Sequence, residues 1–338
     1  MEIAVTPLDT ADDSAVDEAH QVAEAARAAD LPDFPPQTRR AFGAMFRHPW
    51  PGNDYRHALA RVDGVAAGYL EIGLPVLDNL DNAEVELFVH PDFRRRGVGR
   101  VLFEHAASVV RDLGRKRFSG MALEALPGGV ARDPAGGAFG EAIGAKPALL
   151  EVRRRLDVTQ LDERALDEQL AEAWRRADGY SLVRWRETAP DEYVDDIAYL
   201  DGRLLTDAPL GDLGWEGENI DAARIRAAER VIVARGRRRY NVGVRHDESG
   251  RLVAFTTLDA GDVDWHAFQQ ITLVEPKHRG HRLGTIVKIE NLRYLLANEP
   301  SVRMIDTWNA GVNDHMIRIN EAMGFRPVDG WQNWQYAV

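Results

Sequence analysis

Two distant stretches of this chain carry the same pattern. Residues 85–106 read VELFVHPDFRRRGVGRVLFEHA and residues 270–291 read QITLVEPKHRGHRLGTIVKIEN. Each is an apolar strand-like run, a proline (Pro91, Pro276), an arginine three residues on (Arg94, Arg279), a short loop and a long helix-like segment. Aligning Arg94 with Arg279 also brings Gly99 onto Gly284, an offset of 185 residues in a chain of 338. Solenoid repeats recur every ~20–50 residues. A repeat at half the chain length instead predicts two copies of one domain.

The remainder of each half supports this. In the first half, residues 15–29 and 37–47 have helical periodicity, and residues 56–62 and 65–72 read as strands meeting at Asp63-Gly64, a strong hairpin signal. In the second half, residues 190–200 and 221–236 read as helices, and residues 240–246 and 251–258 as strands around Asp247-Glu248-Ser249-Gly250. Both halves run strand, two helices, hairpin, strand, loop, helix, strand, helix, strand. That order predicts an α/β (α+β) fold, a mixed central sheet flanked by helices, in each half. Between them, Leu161, Ala165, Leu166, Ala173 and Trp174 share one helical face, and Gly179 ends the segment. The expected organisation is a domain at 1–156, a linker helix within 157–179 packing on both domains, and a domain at 180–338.

Composition narrows the chemistry. The chain has no cysteine, which excludes disulfides, thiolate metal sites and a thiol nucleophile. It carries 42 Lys and Arg against 54 Asp and Glu, a net charge of −12, which argues against a nucleic-acid partner and for a cationic small substrate. The arginine runs at 94–96, 153–155 and 237–239 are therefore read as solvated faces. His278 and His281 lie beside Arg279 and Arg282, a poor setting for a cation, so no metal site is expected. No run of about 18 apolar residues and no signal-like start occurs, so no membrane association and a cytoplasmic location are expected.

The loop Arg94-Arg95-Arg96-Gly97-Val98-Gly99 opens a helix whose apolar stripe is Val98, Val101, Leu102, Ala106, Val109 and Leu113. A helix N-terminus presents unpaired N–H groups and a positive dipole end, and glycine lets a phosphate approach the backbone. No Gly-Lys-Ser/Thr follows, and Leu102 stands at the third position of a dinucleotide fingerprint, so neither of those loops fits. The pattern Arg-x-x-Gly-x-Gly after strand-Val-His-Pro-x-Phe resembles the acyl-CoA loop of the GNAT superfamily of N-acetyltransferases. The segment TWNAGVNDHMIRINEAMGF at 307–325 resembles that family's second signature, with Asn309 read as a helix N-cap and Gly324 as its stop.

The resemblance implies two tandem acyl-CoA N-acyltransferase folds, with acetyl-CoA as co-substrate. In the first half, Phe88 and Val89 would run beside the pantetheine arm, and Arg94, Arg95, Arg96, Gly97, Val98, Gly99 and Arg100 would hold the pyrophosphate. In the second half the same roles fall to Leu273 and Val274, and to Arg279, Gly280, His281, Arg282, Leu283, Gly284 and Thr285. Asn313, together with Asn309, would contact the CoA arm.

The halves depart from the family pattern differently. The first keeps Gly97 and Gly99, but residues 127–140 are loop-rich and Gly144-Ala145 replaces Gly-Phe. The second keeps Asn313 and Gly324-Phe325, but Arg282 replaces the first loop glycine. Many family members place a tyrosine, as general acid, where this chain has Gly140 and Asn320. For a general base, strand alternation sets Glu84 and Glu86 on one face and Val85 on the other, making Glu86 the candidate base and Glu84 a candidate contact for a cationic substrate. The second half aligns Gln269, Gln270 and Thr272 there, with Asp306 as its nearest carboxylate. Trp331, Trp334 and Tyr336 are expected to pack in the core or a domain interface. The expected activity is acetyl transfer from acetyl-CoA to a primary amine of a small molecule. The rival readings are a non-catalytic acyl-CoA-binding or sensing protein, and an acyltransferase with another donor or acceptor. Neither the acceptor nor the oligomeric state is encoded legibly.

Overall fold

The structure, a computed structural model, describes residues 2–338. In chain order the elements are β1 (Ile3–Pro7), α1 (Asp13–Asp30), α2 (Arg39–Arg47), β2 (Asn53–Val62), β3 (Val65–Pro75), β4 (Asn82–Val89), α3 (Val98–Asp112), β5 (Arg117–Glu124), α4 (Ala135–Ala142) and β6 (Lys146–Asp157). The second series is α5 (Glu163–Trp174), β7 (Tyr180–Arg186), α6 (Val194–Asp201), α7 (Leu204–Asp207), α8 (Ala222–Ala234), β8 (Arg238–His246), β9 (Leu252–Ala260), β10 (His266–Val274), α9 (Leu283–Asn298), β11 (Met304–Ala310), α10 (Asp314–Ala322) and β12 (Arg326–Ala337). The alternation expected for each half is present, with short α7 as an addition. The Asp63-Gly64 turn has positive φ at both residues (47° and 87°), the conformation a two-residue hairpin demands.

The chain divides into two compact units. The first holds the residues up to Glu151, with Leu210–Glu216 and Asp329–Val338; the second holds Val152–Pro209 and Gly217–Val328. These differ from the divisions at 156 and 180 read from the sequence, for identifiable physical reasons. The last strand pairs with β5 from Gly330↔Glu124 to Ala337↔Arg117. Tyr336 packs edge-on against Phe103, and Asp329, buried, accepts from Arg132 Nε at 2.7 Å. The segment around Gly214 is held by Asn82 Nδ2 and Arg117 Nη1, which donate to its carbonyl at 2.7 and 2.9 Å. Helix α5, expected to be a linker, buries Leu166, Leu170 and Ala173 in the second unit's core.

In the first unit the strand order is β1-β2-β3-β4-β5-β12, followed by the first half of β6. In the second it is the latter half of β6, then β11-β10-β9-β8-β7. β4 with β5 and β10 with β11 run parallel, the two pairs joined through a helix, while β1–β2, β2–β3, β3–β4, β5–β12, β7–β8, β8–β9 and β9–β10 are antiparallel. One sheet face of the first unit carries Ala58, Ala60, Leu70, Ile72 and Ala83 against Leu102, Phe103 and Ala106 of α3. Leu113, read as part of that stripe, is instead exposed at the helix end, and Phe103 takes its share of the burial.

Helix α9 is buried nearly all round, Lys288 included. Lys288 occupies the repeat position of Phe103 and is 1% exposed, its ammonium 5.5 Å from the centre of the Phe325 ring. Burial pushes its pKa from 10.5 down to about 7. The unfolded chain takes up this proton near 10.5 and the native protein only near 7, so stability falls as pH drops across that window and is level below it. Lys288→Met is expected to raise stability at pH 7 by about 2 kcal/mol and to flatten this dependence, both readable from urea unfolding at pH 7 and pH 10.

Candidate active site

In both units the parallel strand pair comes apart. Strand β4 pairs with β5 only from Asn82↔Arg117 to Glu84↔Ser119, leaving residues 85–89 outside that ladder. Strand β10 pairs with β11 only from His266↔Met304 to Phe268↔Asp306, and a register shift between Gln269 and Thr272 follows on its other edge. Each splay exposes a row of backbone donors and acceptors beside the helix-opening loop. An extended amide-containing chain can complete such an edge.

The two loops share one backbone built from different residues. Arg95 (φ 61°) and Gly97 (φ 91°) are left-handed in the first, Gly280 (φ 91°) and Arg282 (φ 59°) in the second. Each loop thus places glycine at one strained position and arginine at the other. A non-glycine residue there costs about 1–2 kcal/mol, so Arg282→Gly is expected to stabilise the protein by about 1 kcal/mol, measurable as a higher Tm. The next glycines are not demanded by packing. A Cβ on Gly99 would make only ordinary contacts with Phe139 and Val89 (3.6–3.7 Å), and one on Gly284 with Ile319 and Val274 (3.5–3.8 Å). Glycine at these positions keeps the backbone amides of each helix N-terminus bare, as close approach of a phosphate requires.

The arginines separate by role. Arg94 makes a bidentate pair with Asp30 (2.7 Å twice) and donates from Nε to the Val89 carbonyl (3.3 Å). Arg279 repeats this with Asp207 (2.8 Å) and the Val274 carbonyl (3.4 Å). Both therefore brace their loops. Arg95, Arg96 and Arg100 are exposed and carry no carboxylate partner among the described residues, and Arg96 lies over the Phe93 ring. In the second loop His281 Nδ1 donates to the Arg176 carbonyl (3.0 Å), while Arg282 is exposed. Val98, Leu283 and Leu273 are core residues, so only their backbone faces the slots; Thr285 is partly buried on the first turn of α9.

Glu84, Glu86 and Phe88 share one face of β4, as the alternation predicts. Across β3 they meet Gly73, Glu71 and Tyr69 respectively. Glu86 is open to solvent yet recessed among protein atoms. That surrounding, with the negative charge of Glu71, raises its carboxyl to about 7. Phe88 stacks on Tyr69 with ring centres 6.1 Å apart. The sequence reading missed Glu71 and Tyr69. The available signal was two polar groups, one residue apart, in the otherwise apolar strand VAAGYLEIGLP.

At the position of the family's tyrosine, the first unit has no room for a side chain. A Cβ on Gly140 would lie 2.8 Å from Trp334 Cδ2 and 3.0 Å from Cε3. In the second unit the buried Asn320 donates to Asn309 Oδ1 at 2.6 Å, and it is Asn313, not Asn309, that caps α10, accepting from the Met316 amide. Asp306 does not fit the role of a base. It is fully buried and receives Arg155 (2.7 and 2.8 Å), Arg153 (3.3 Å) and His266 (3.0 Å). Although burial acts the other way, Arg155 and His266 hold its carboxyl down at about 2.

Two tandem folds, each with a splayed parallel pair feeding a left-handed loop and a helix N-terminus, define an acyl-CoA-dependent transferase architecture. The acetyltransferase (GNAT) family model matches residues 19–124. A tandem GNAT protein from the clavulanic acid biosynthesis pathway, solved without AcCoA, is 32% identical with a TM-score of 0.84, over 99% of this chain and 98% of that one. A GCN5-related N-acetyltransferase from Sphaerobacter thermophilus (14% identity, TM-score 0.64, 99% and 95% of the two chains) and Saccharomyces cerevisiae N-myristoyltransferase (12%, 0.60, 99% and 82%) share the fold. No curated protein matches in sequence. The chain belongs to the GNAT family, as a tandem member, and its fold is that of an acyltransferase using acyl-CoA. Among the described residues no helix is long and apolar enough to cross a membrane.

Proposed function

We propose that the first unit transfers an acetyl group from acetyl-CoA to a primary amine of a small molecule, with Glu86 as general base. The observation that carries this reading is the Glu86 carboxyl, set beside the splayed strands and raised to about 7. An amine reaches its attacking form only after losing a proton, and a base of pKa near the working pH is best matched to that task. Glu86 accepts the ammonium proton, and the freed nitrogen attacks the thioester carbonyl carbon. The tetrahedral adduct gives its surplus N–H proton to water as the C–S bond breaks, and the departing thiolate takes its proton from water, because Gly140 offers no acid. Glu84, one step along the same face, adds negative charge for a cationic acceptor. Arg95, Arg96, Arg100 and the amides of the Gly97–Gly99 turn would hold the pyrophosphate.

The second unit supports a different role. Its loop keeps the same backbone, with Gly280, Arg282 and Gly284 in place, but its strand aligns Gln269, Gln270 and Thr272 where the first has acids, and Asp306 is locked in ion pairs. We read it as a unit that binds acyl-CoA without turning it over. Titration calorimetry with acetyl-CoA tests both readings when combined with CoA-thiol release over a panel of amines. The expected result is two sites per chain and amine-dependent release that Arg96→Ala impairs and Arg282→Ala does not. Release that fails with acetyl-CoA but proceeds with longer acyl-CoAs would overturn the donor assignment. Equal loss in the two variants would overturn the division of labour.

A further inference from the structure

Glu86 does not stand alone on its face. Directly across the antiparallel pair lies Glu71, and across the next pair His57. Tyr69 Oη donates to Glu71 Oε2 at 3.1 Å. With its own hydrogen so used, Tyr69 Oη can only accept from His57, whose Nδ1 lies 3.0 Å away and therefore carries the hydrogen. A relay of fixed direction results, from His57 through Tyr69 to Glu71. The aromatic rings of Tyr55, His57, Tyr69 and Phe88 form a near-parallel ladder, with centres 6.1–6.2 Å apart and planes within 11°, which holds it in place. Helix α2 closes over the ladder with Phe42 edge-on to Tyr69 and Phe46 edge-on to His57.

We infer that Glu71 is a positioning residue that sets the protonation of Glu86: the Tyr69 hydrogen bond favours the carboxylate form of Glu71, so the proton shared by this cross-strand pair of acids resides on Glu86. Carboxylates on directly opposed residues of an antiparallel pair, with Cβ atoms ~4.5–5.5 Å apart, titrate as a coupled pair, and the partner receiving the hydrogen bond ionises first. The other titratable groups around the face do not cancel this. Glu84 on the same strand has the same sign. His57 is pushed down to about 4 by burial and by Arg56, so it brings no charge near neutrality. Burial holds Tyr69 as an O–H donor, its pKa raised further by Glu71. From α1, His20 is engaged with the Gln37 carbonyl at 2.7 Å.

Sequence alone does not show this pairing, because Glu71 and Glu86 meet only through the β3–β4 register. The test is a carboxyl-carbon NMR titration of the intact protein carrying 13C-labelled glutamate, with the Glu86 resonance assigned by its loss in Glu86→Gln. Glu71→Gln keeps the shape and the acceptor for Tyr69 but removes the charge. It is expected to lower the Glu86 midpoint by about one unit, the remaining elevation coming from the protein atoms around it. Tyr69→Phe is expected to lower it too, as the proton passes to Glu71. A Glu86 midpoint unmoved in folded Glu71→Gln, checked by its thermal transition, would overturn the inference, as would an unmoved midpoint in Tyr69→Phe. The inference rests on Glu86 being the base only for its catalytic meaning. If Glu86→Gln retained full activity while the midpoints moved, the base assignment would fail and the coupling would stand.

Discussion

Glu86→Gln lowers kcat for amine acylation by about 10²–10³-fold at pH 7 and leaves acetyl-CoA affinity unchanged. The amide is close in shape to the carboxylate but cannot take a proton. The pH profile of the unmodified protein carries the same information with its sign determined. A base acts only when ionised, so kcat/KM rises with pH through about 7 and falls about tenfold for each unit below it. An ordinary surface glutamate would leave the profile level down to its usual value of 4.5. Steady-state CoA-thiol release between pH 5 and 9, flanking that midpoint, distinguishes the cases. A flat profile in that range, or a fully active Glu86→Gln, would remove Glu86 from the chemistry and leave water as the proton acceptor.

Asp306→Asn destabilises the second unit by about 3–5 kcal/mol. Asp306 pairs with Arg153, Arg155 and His266 at once, and Arg153 and Asp306 are both fully buried. Removing its charge takes away the carboxylate that these cationic groups share in a buried site. The pH dependence follows from its depressed pKa. The unfolded chain protonates this carboxyl near 3.8, while the native protein keeps it ionised down to about 2. Its stabilisation is therefore fully present above pH 4 and is lost as pH falls from there toward 2, a contribution of about 2 kcal/mol. Chemical unfolding at pH 7 and pH 3 measures both effects. The expected signature is a large loss in the variant at pH 7 and a smaller gap between the proteins at pH 3. An Asp306→Asn protein as stable as the parent would show that the cluster contributes nothing net.

How far a site can be read from one sequence depends on whether its parts are neighbours in the chain or in the sheet. Glu84 and Glu86 were legible because they share a strand and strand alternation has period two. The loops were legible because proline, arginine and glycine recur at fixed spacing before a helical stripe. Even the replacement of Gly97 by Arg282 proved compatible with one backbone, since the first loop already sets Arg95 left-handed. Asp306 was misjudged as a candidate base because the residues that lock it lie 151 and 153 positions away, on β6. Asn309 looked like a helix cap by local pattern, but the cap, Asn313, comes four residues later and Asn320 occupies the Asn309 side chain.

From sequence alone, the repeat, the order of elements in each half, the absence of thiol chemistry and the position of the two helix-opening loops were determined. All are local properties, set by periodicity, turn chemistry and composition. Tertiary structure alone decided that the last strand joins the first unit, that Trp334 fills the space above Gly140, and that Glu71 faces Glu86. The physical reason is the same in each case. Strand register and long-range packing are chosen by the burial of whole faces, and no single stretch of chain contains both partners of such a choice.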